Sequence, residues 1–104
     1  MTDQTLRERI LAVLRDVDPN AEAFLYGSRA RGDAGPESDW DLLILLSIPV
    51  TEEIKRTIRH RLYEIEWETG QVISSIIHSR TEWDTSPLRE TPFRRRVSRE
   101  GIRV

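Results

Sequence analysis

The sequence predicts one small α/β domain over residues 1–104, and three observations predict it. A chain of 104 residues, 38% hydrophobic and 33% charged, has room for one domain of ordinary size and one small core. Apolar residues recur at helical spacing in several blocks. Between those blocks stand short runs of continuous apolar or β-branched residues, bounded by glycine and polar breaks as buried strands are. The resulting order is helix, strand, loop, strand, helix, strand, helix.

Asp3 reads as an N-cap, followed by Leu6, Ile10, Leu11, Leu14 and Val17 at helical spacing until Asp18-Pro19 stops the pattern. Ala23 to Tyr26 is a short apolar and aromatic run ending at Gly27, as a buried strand would. Gly27 to Ser38 carries three glycines and a proline and reads as loop with room for one helical turn. Asp39 to Leu46 begins acidic and becomes apolar on both faces, the pattern of a central strand. Thr51, with Glu52 and Glu53 behind it, suits the positive end of a helix whose face is Ile54, Ile58, Leu62 and Ile65 and whose stop is Gly70. Val72 to Ile77 is a β-branched strand, and Thr81 to Ser86 reads as a helical turn. Thr91-Pro92 opens a last helix that Gly101 closes.

Composition removes whole classes of function. Without cysteine there is no disulfide framework, thiolate metal site or cysteine nucleophile. The longest apolar run, Leu42 to Leu46, is far short of a membrane span, and acidic Asp3 does not suit a basic leader, so a cytoplasmic protein is expected. A net charge of −2 gives no global attraction to nucleic acid. From Pro87 onward, however, six arginines stand against two glutamates. Such a tail is either a solvated helix face or an electrostatic contact with a partner or polyanion.

The informative stretch runs from Leu25 to Ile44. A strand ends at Gly27, where the missing side chain lets backbone approach a ligand closely. Ser28 follows with a hydroxyl and an amide at the start of a turn, a position that favours anions such as phosphate. Asp39 and Asp41 sit two apart at the mouth of a strand, so alternation points both carboxylates the same way. Two like charges that close disfavour each other's ionisation, and a divalent cation relieves the conflict. Mg²⁺ is commonly held by one or two carboxylates together with substrate phosphates. A phosphate cradle facing a metal seat would bind a nucleoside triphosphate. Alone, an Asp-X-Asp is more often a solvated turn or capping cluster; here it coincides with the Gly-Ser and the apolar strand.

Gly-Ser, ten residues, then Asp-x-Asp resembles the signature of the DNA polymerase beta nucleotidyltransferase superfamily over Phe24 to Leu46. The short chain resembles that superfamily's minimal nucleotidyltransferases, which accompany HEPN-domain proteins in toxin–antitoxin pairs. The resemblance implies a small mixed sheet with helices packed mainly on one face. It implies that Gly27 and Ser28 bind the triphosphate, that Asp39 and Asp41 hold Mg²⁺ and carry catalysis, and that Arg29 or Arg31 reaches phosphates, unless these arginines pair with Asp33 or Glu37. The implied reaction moves a nucleoside monophosphate, AMP from ATP foremost, to a hydroxyl of a HEPN-domain partner. A small-molecule acceptor would need a pocket that so short a chain forms only as a homo-oligomer.

The superfamily generally brings a third carboxylate from a later strand. Here that strand offers Ser74 and Ser75 and no acid. Its terminal His78 is either a substitute proton acceptor or a cap on the sheet. Glu64, Glu66 and Glu68 on the preceding helix read as solvent-face charges paired with arginines such as Arg61. Trp40 points to the face opposite the aspartates and reads as core; Trp67 and Trp83 read as core or partner contacts. The missing acid keeps open an alternative in which the chain is a binding module that neutralises or scaffolds a partner without chemistry.

Overall fold

The computed structural model describes residues 2–35, 38–85 and 91–104. The expectations placed on Glu37 and Ser86, and on the start of the arginine-rich tail with Pro87, Arg89 and Glu90, lie outside them. In chain order the elements are α1 (Asp3–Val17), β1 (Glu22–Tyr26), α2 (Ser28–Arg31), β2 (Trp40–Leu46), α3 (Glu52–Thr69), β3 (Ile73–Ser79), α4 (Arg80–Asp84), α5 (Pro92–Glu100) and β4 (Ile102–Arg103).

The four strands form one mixed sheet in the order β3-β2-β1-β4. β1 runs antiparallel to β2, with Tyr26 opposite Asp41, and to β4. β2 and β3 are parallel, with Asp41 beside Ser74 and Leu45 beside His78. A parallel pair needs a crossover, and the 18-residue α3 supplies it. β2 is the centre of the molecule, its residues Leu42 to Leu46 all buried. Trp40, Leu42, Ile44 and Leu46 face α1 and α3, whose Leu6, Ile10, Leu14, Ile58, Leu62 and Ile65 complete the main core. Leu43 and Leu45 face the other way, into a smaller cluster with Trp83 of α4 and Val97 of α5. The two long helices thus share one face of the sheet and the two short ones cover part of the other. Each buried Leu or Ile contributes on the order of 1.5–3 kcal/mol to holding these layers together.

Local chemistry sets most boundaries. Thr51 accepts from the Ile54 N–H at 3.1 Å to open α3, and Gly70, at φ +73°, closes it in the left-handed conformation. At α1 the cap is Thr2 rather than Asp3: the Thr2 hydroxyl takes the Thr5 N–H at 3.1 Å. Asp3 falls in the first turn, where its charge still suits the helix dipole. Asp18, 1% exposed, ends α1 and fastens it to the end of β2. Its carboxylate accepts from the Ser47 N–H at 2.6 Å, the Ser47 hydroxyl at 2.7 Å and the Asn20 N–H at 3.0 Å. Burial pushes the Asp18 carboxyl up, but these bonds to Ser47 and Asn20 outweigh it and hold the group below its ordinary value.

On α3 the expected pairing with an arginine holds for Glu68, whereas Arg61 finds an aspartate of α1 and Glu64 stands beside His60. Glu68 pairs with Arg9 of α1 at 2.6 Å, and Arg61 pairs with Asp16 at 2.9 Å. β3 extends two residues beyond the apolar run, because its pairing with β2 continues to Ser79. β4 was not expected at all. Its two residues lie beside Phe24 and Leu25.

Candidate functional site

Gly27 ends β1 at φ +78°, ψ −155°, a conformation essentially restricted to glycine. The antiparallel register carries Asp41 over this turn. A Cβ built on Gly27 would lie 2.6 Å from Asp41 Oδ2, closer than non-bonded atoms come. The glycine is therefore required twice, for backbone conformation and for room beside a carboxylate. Ser28 begins the single-turn α2 immediately afterwards, with the Ala30 and Arg31 N–H groups donating to the Gly27 carbonyl at 3.1 Å.

Asp41 is half-buried near the start of β2, and Asp39 stands exposed before the strand. Burial raises the Asp41 carboxyl above its ordinary value, and the neighbouring Asp39 charge raises it further. Among the described residues neither aspartate has an ion-pair partner. Tyr26, the cross-strand neighbour of Asp41, packs edge-on against Phe93 of α5 at 5.2 Å. Burial raises its hydroxyl's pKa, the charge of Asp41 adds to this, and Arg96 of α5 opposes it. Sequence reasoning misses Tyr26, whose place beside Asp41 follows from the antiparallel register of β1 and β2 and not from its own neighbours. Nothing local marks Arg96, which reaches this end only through the fold.

Arg29 is turned inward. Its Nε donates to the Ser38 carbonyl at 3.0 Å and its Nη2 to Gln71 Oε1 at 3.2 Å, while the guanidinium lies 4.9 Å from the Trp40 ring centre. The Trp40 indole N–H donates to the same Gln71 oxygen at 3.3 Å. This cluster fixes the loop that delivers Asp39 and Asp41. Arg31 pairs with Asp33 at 3.3 Å and with Glu100 of α5 at 3.5 Å.

The parallel register sets Ser74 beside Asp41, the position from which a third acid would act. Among the described residues no group of three His, Asp or Glu side chains converges as a metal site. His78 is four residues further along β3, about 13 Å from the level of Asp41 at the usual strand rise. There it stacks on Trp83 at 6.1 Å with Glu82 beside it at 3.6 Å. Its role is at the sheet's other end.

A Gly-Ser turn under one of two closely spaced carboxylates has the chemistry to receive a polyphosphate and a hard cation. A sequence model of the nucleotidyltransferase domain matches residues 7–101. The chain belongs to that family. No curated protein matches it in sequence. Among solved structures, this nucleotidyltransferase domain is similar to a toxin–antitoxin crystallised with AMP-PNP, at TM-score 0.63 and 16% identity over 93% of this chain and 70% of that one. It is also similar to a mutant of the toxin–antitoxin MntA-HpeT, at TM-score 0.64 and 14% identity over the same shares. At these identities the likeness is one of fold, and it matches the polymerase-beta-type core with its mixed sheet. No helix among the described residues is long and apolar enough to cross a membrane.

Proposed function

We propose that the chain is a magnesium-dependent nucleotidyltransferase that moves AMP from ATP to a hydroxyl of a HEPN-domain partner protein, acting as that partner's antitoxin in the cytoplasm. The observation that carries the reading is the approach of the Asp41 carboxylate to the Gly27 turn, with the Asp39 charge beside it. The AMP-PNP in one structural relative, and the toxin–antitoxin assembly of both, support the choice of nucleotide and partner.

In this reading Gly27 and Ser28 hold the triphosphate, and Asp39 and Asp41 hold the cation. The donor set fits Mg²⁺: two hard carboxylate oxygens whose mutual repulsion a dication relieves, with phosphate and water completing the shell. When bound, the ion would neutralise charge on the triphosphate and on the departing pyrophosphate. Arg29 keeps the loop before β2 against Trp40 and so orients the two acids. The partner brings the acceptor hydroxyl.

Ser74 favours a second reading. Its hydroxyl cannot serve as a base near neutral pH, so a nucleotide-binding module that blocks its partner without chemistry keeps every other feature. Labelled ATP, Mg²⁺ and the co-purified partner separate the two. Label moving to the partner, and lost with Asp39→Asn or Asp41→Asn, is the expected result. Tight partner binding without label transfer, unchanged in both variants, replaces the enzyme with the module.

A further inference from the structure

Away from the site, a groove of about 770 Å³ runs along the border of the sheet between α3 and β3, lined by Arg56, Arg59, Tyr63, Glu66 and Ser75 among others. Among the described residues β3 is the last strand on this side, and its outer backbone row pairs with no strand. Natural proteins usually blunt such an edge with charge, proline or a bulge. β3 reads Ile-Ser-Ser-Ile-Ile-His-Ser over its seven residues, with no proline, lysine, arginine or acid. The same border exposes large apolar side chains: Tyr63 is 52% exposed, Trp67 75% and Val72 49%. Tyr63 and Trp67 meet edge to face at 6.1 Å, so they form one patch.

The charges of α3 narrow what covers this edge. In its first half α3 turns Arg56, Arg59 and a Lys55–Glu52 pair toward the groove, and in its second half Glu66. Glu52 and Glu53 suit the helix's positive end, but the last turn holds no cation to suit its negative end. Arg56, Arg59 and Glu66 make no ion pair among the described residues. The pattern is its own complement when read backwards. Arg59 and Glu66 lie four and three residues to either side of Tyr63. Two antiparallel copies of α3 crossing near Tyr63 therefore set each Arg59 beside the other copy's Glu66. Antiparallel pairing of two β3 edges obeys the same two-fold axis, so strand and helix ask for a single isologous contact. An acidic segment of a different protein would match Arg56 and Arg59 but would meet Glu66 with like charge.

We infer that the chain pairs with a second copy of itself along this edge, joining two β3 strands into one continuous sheet, with Tyr63 and Trp67 at the centre and Arg59–Glu66 pairs crossing between copies. The inference is independent of whether the chain transfers nucleotides. Light scattering of the full chain should give about 24 kDa, twice the 12.2 kDa of one chain. Arg59→Glu and Glu66→Arg, each with an unchanged circular dichroism spectrum, should weaken association by about tenfold or more. The doubly exchanged variant should recover most of it. A wild-type chain that stays monomeric at about 100 µM, well above a micromolar dissociation constant, overturns the inference. So does a dimer indifferent to both reversals, or a double variant no stronger than the single ones.

Discussion

Gly27→Ala tests the site most directly, because the structure assigns it two separable costs. The backbone at φ +78°, ψ −155° is one that alanine adopts only under strain, about 1–3 kcal/mol for such a region. The new methyl would also meet Asp41 Oδ2 at 2.6 Å. That atom ends a short side chain that can rotate away, so relieving the clash adds little to the folding cost but moves the carboxylate off its position. The appropriate control is Gly70→Ala. There φ is +73° and nothing lies within 4 Å of the added Cβ, so only the left-handed penalty of about 1–2 kcal/mol applies. In a domain of this size each kcal/mol lowers Tm by about 4–8 °C. Both variants should therefore melt several degrees early without ligand. Only Gly27→Ala should lose the extra stability that Mg²⁺ and a non-hydrolysable ATP analogue confer on the wild type. Retention of that ligand-induced shift in Gly27→Ala would refute the placement of Asp41 as a metal-holding group over the turn.

Asp18→Asn should lower stability near neutral pH by about 3 kcal/mol, the cost of charge-assisted bonds exchanged for mismatched donors. Because the folded-state pKa of Asp18 is depressed, its contribution is present above the unfolded value near 3.9 and disappears as pH falls through the lower folded value. Urea titrations across acidic pH should show a steeper decline in wild type than in the variant. Asp41 is shifted the other way, so protons should displace Mg²⁺ at a higher pH than an ordinary carboxylate requires, a dependence that isothermal titration at several pH values measures and Asp41→Asn removes. Arg29→Ala should lose about 2 kcal/mol of stability with no nucleotide present, from its stacking on Trp40 and its hydrogen bonds to Ser38 and Gln71; a side chain used only for phosphate would leave the ligand-free protein unchanged. Ser74→Asp places a third carboxylate beside Asp41, about 5 Å away across the strand pair. It should tighten Mg²⁺ binding by about tenfold, and unchanged binding would show that residue 74 does not face the pair.

What was legible in the sequence was what neighbouring residues decide. α3 was read with both its ends, because Thr51 and Gly70 act on backbone within four residues of themselves. β2 was read as central because consecutive apolar residues have no solvent face to spare. The Gly-Ser turn and the two aspartates were legible as a spacing. Long-range contacts were not. Arg29 finds Gln71 42 residues away, and no local pattern distinguishes that partner from Asp33 or a phosphate. Trp67 illustrates the limit of periodicity: it lies beside the Ile58, Leu62 and Ile65 stripe yet is 75% exposed, because the neighbouring β3 is the sheet's last strand and none of the described residues covers the helix flank beyond it. β4 is too short to carry a periodicity, and its pairing with β1 follows from where α5 ends.

The distribution of cations gives the strongest physical argument that the acidic pair awaits a ligand. The segment between β1 and β2 carries two arginines, Arg29 and Arg31 of α2, as candidates to neutralise Asp39 and Asp41. The fold directs both elsewhere: Arg29 to Trp40, Gln71 and the Ser38 carbonyl, Arg31 to Asp33 and Glu100. Asp41 is left half-buried with a like charge beside it and its carboxyl pushed toward the protonated form. A substitution as small as Asp41→Asn would relieve that unfavourable electrostatic term at no cost in packing volume. A chain shaped only for stability has no use for two carboxylates that, among the described residues, nothing neutralises above a glycine turn. One that must attract a dication, and through it a polyphosphate, needs the charge left open.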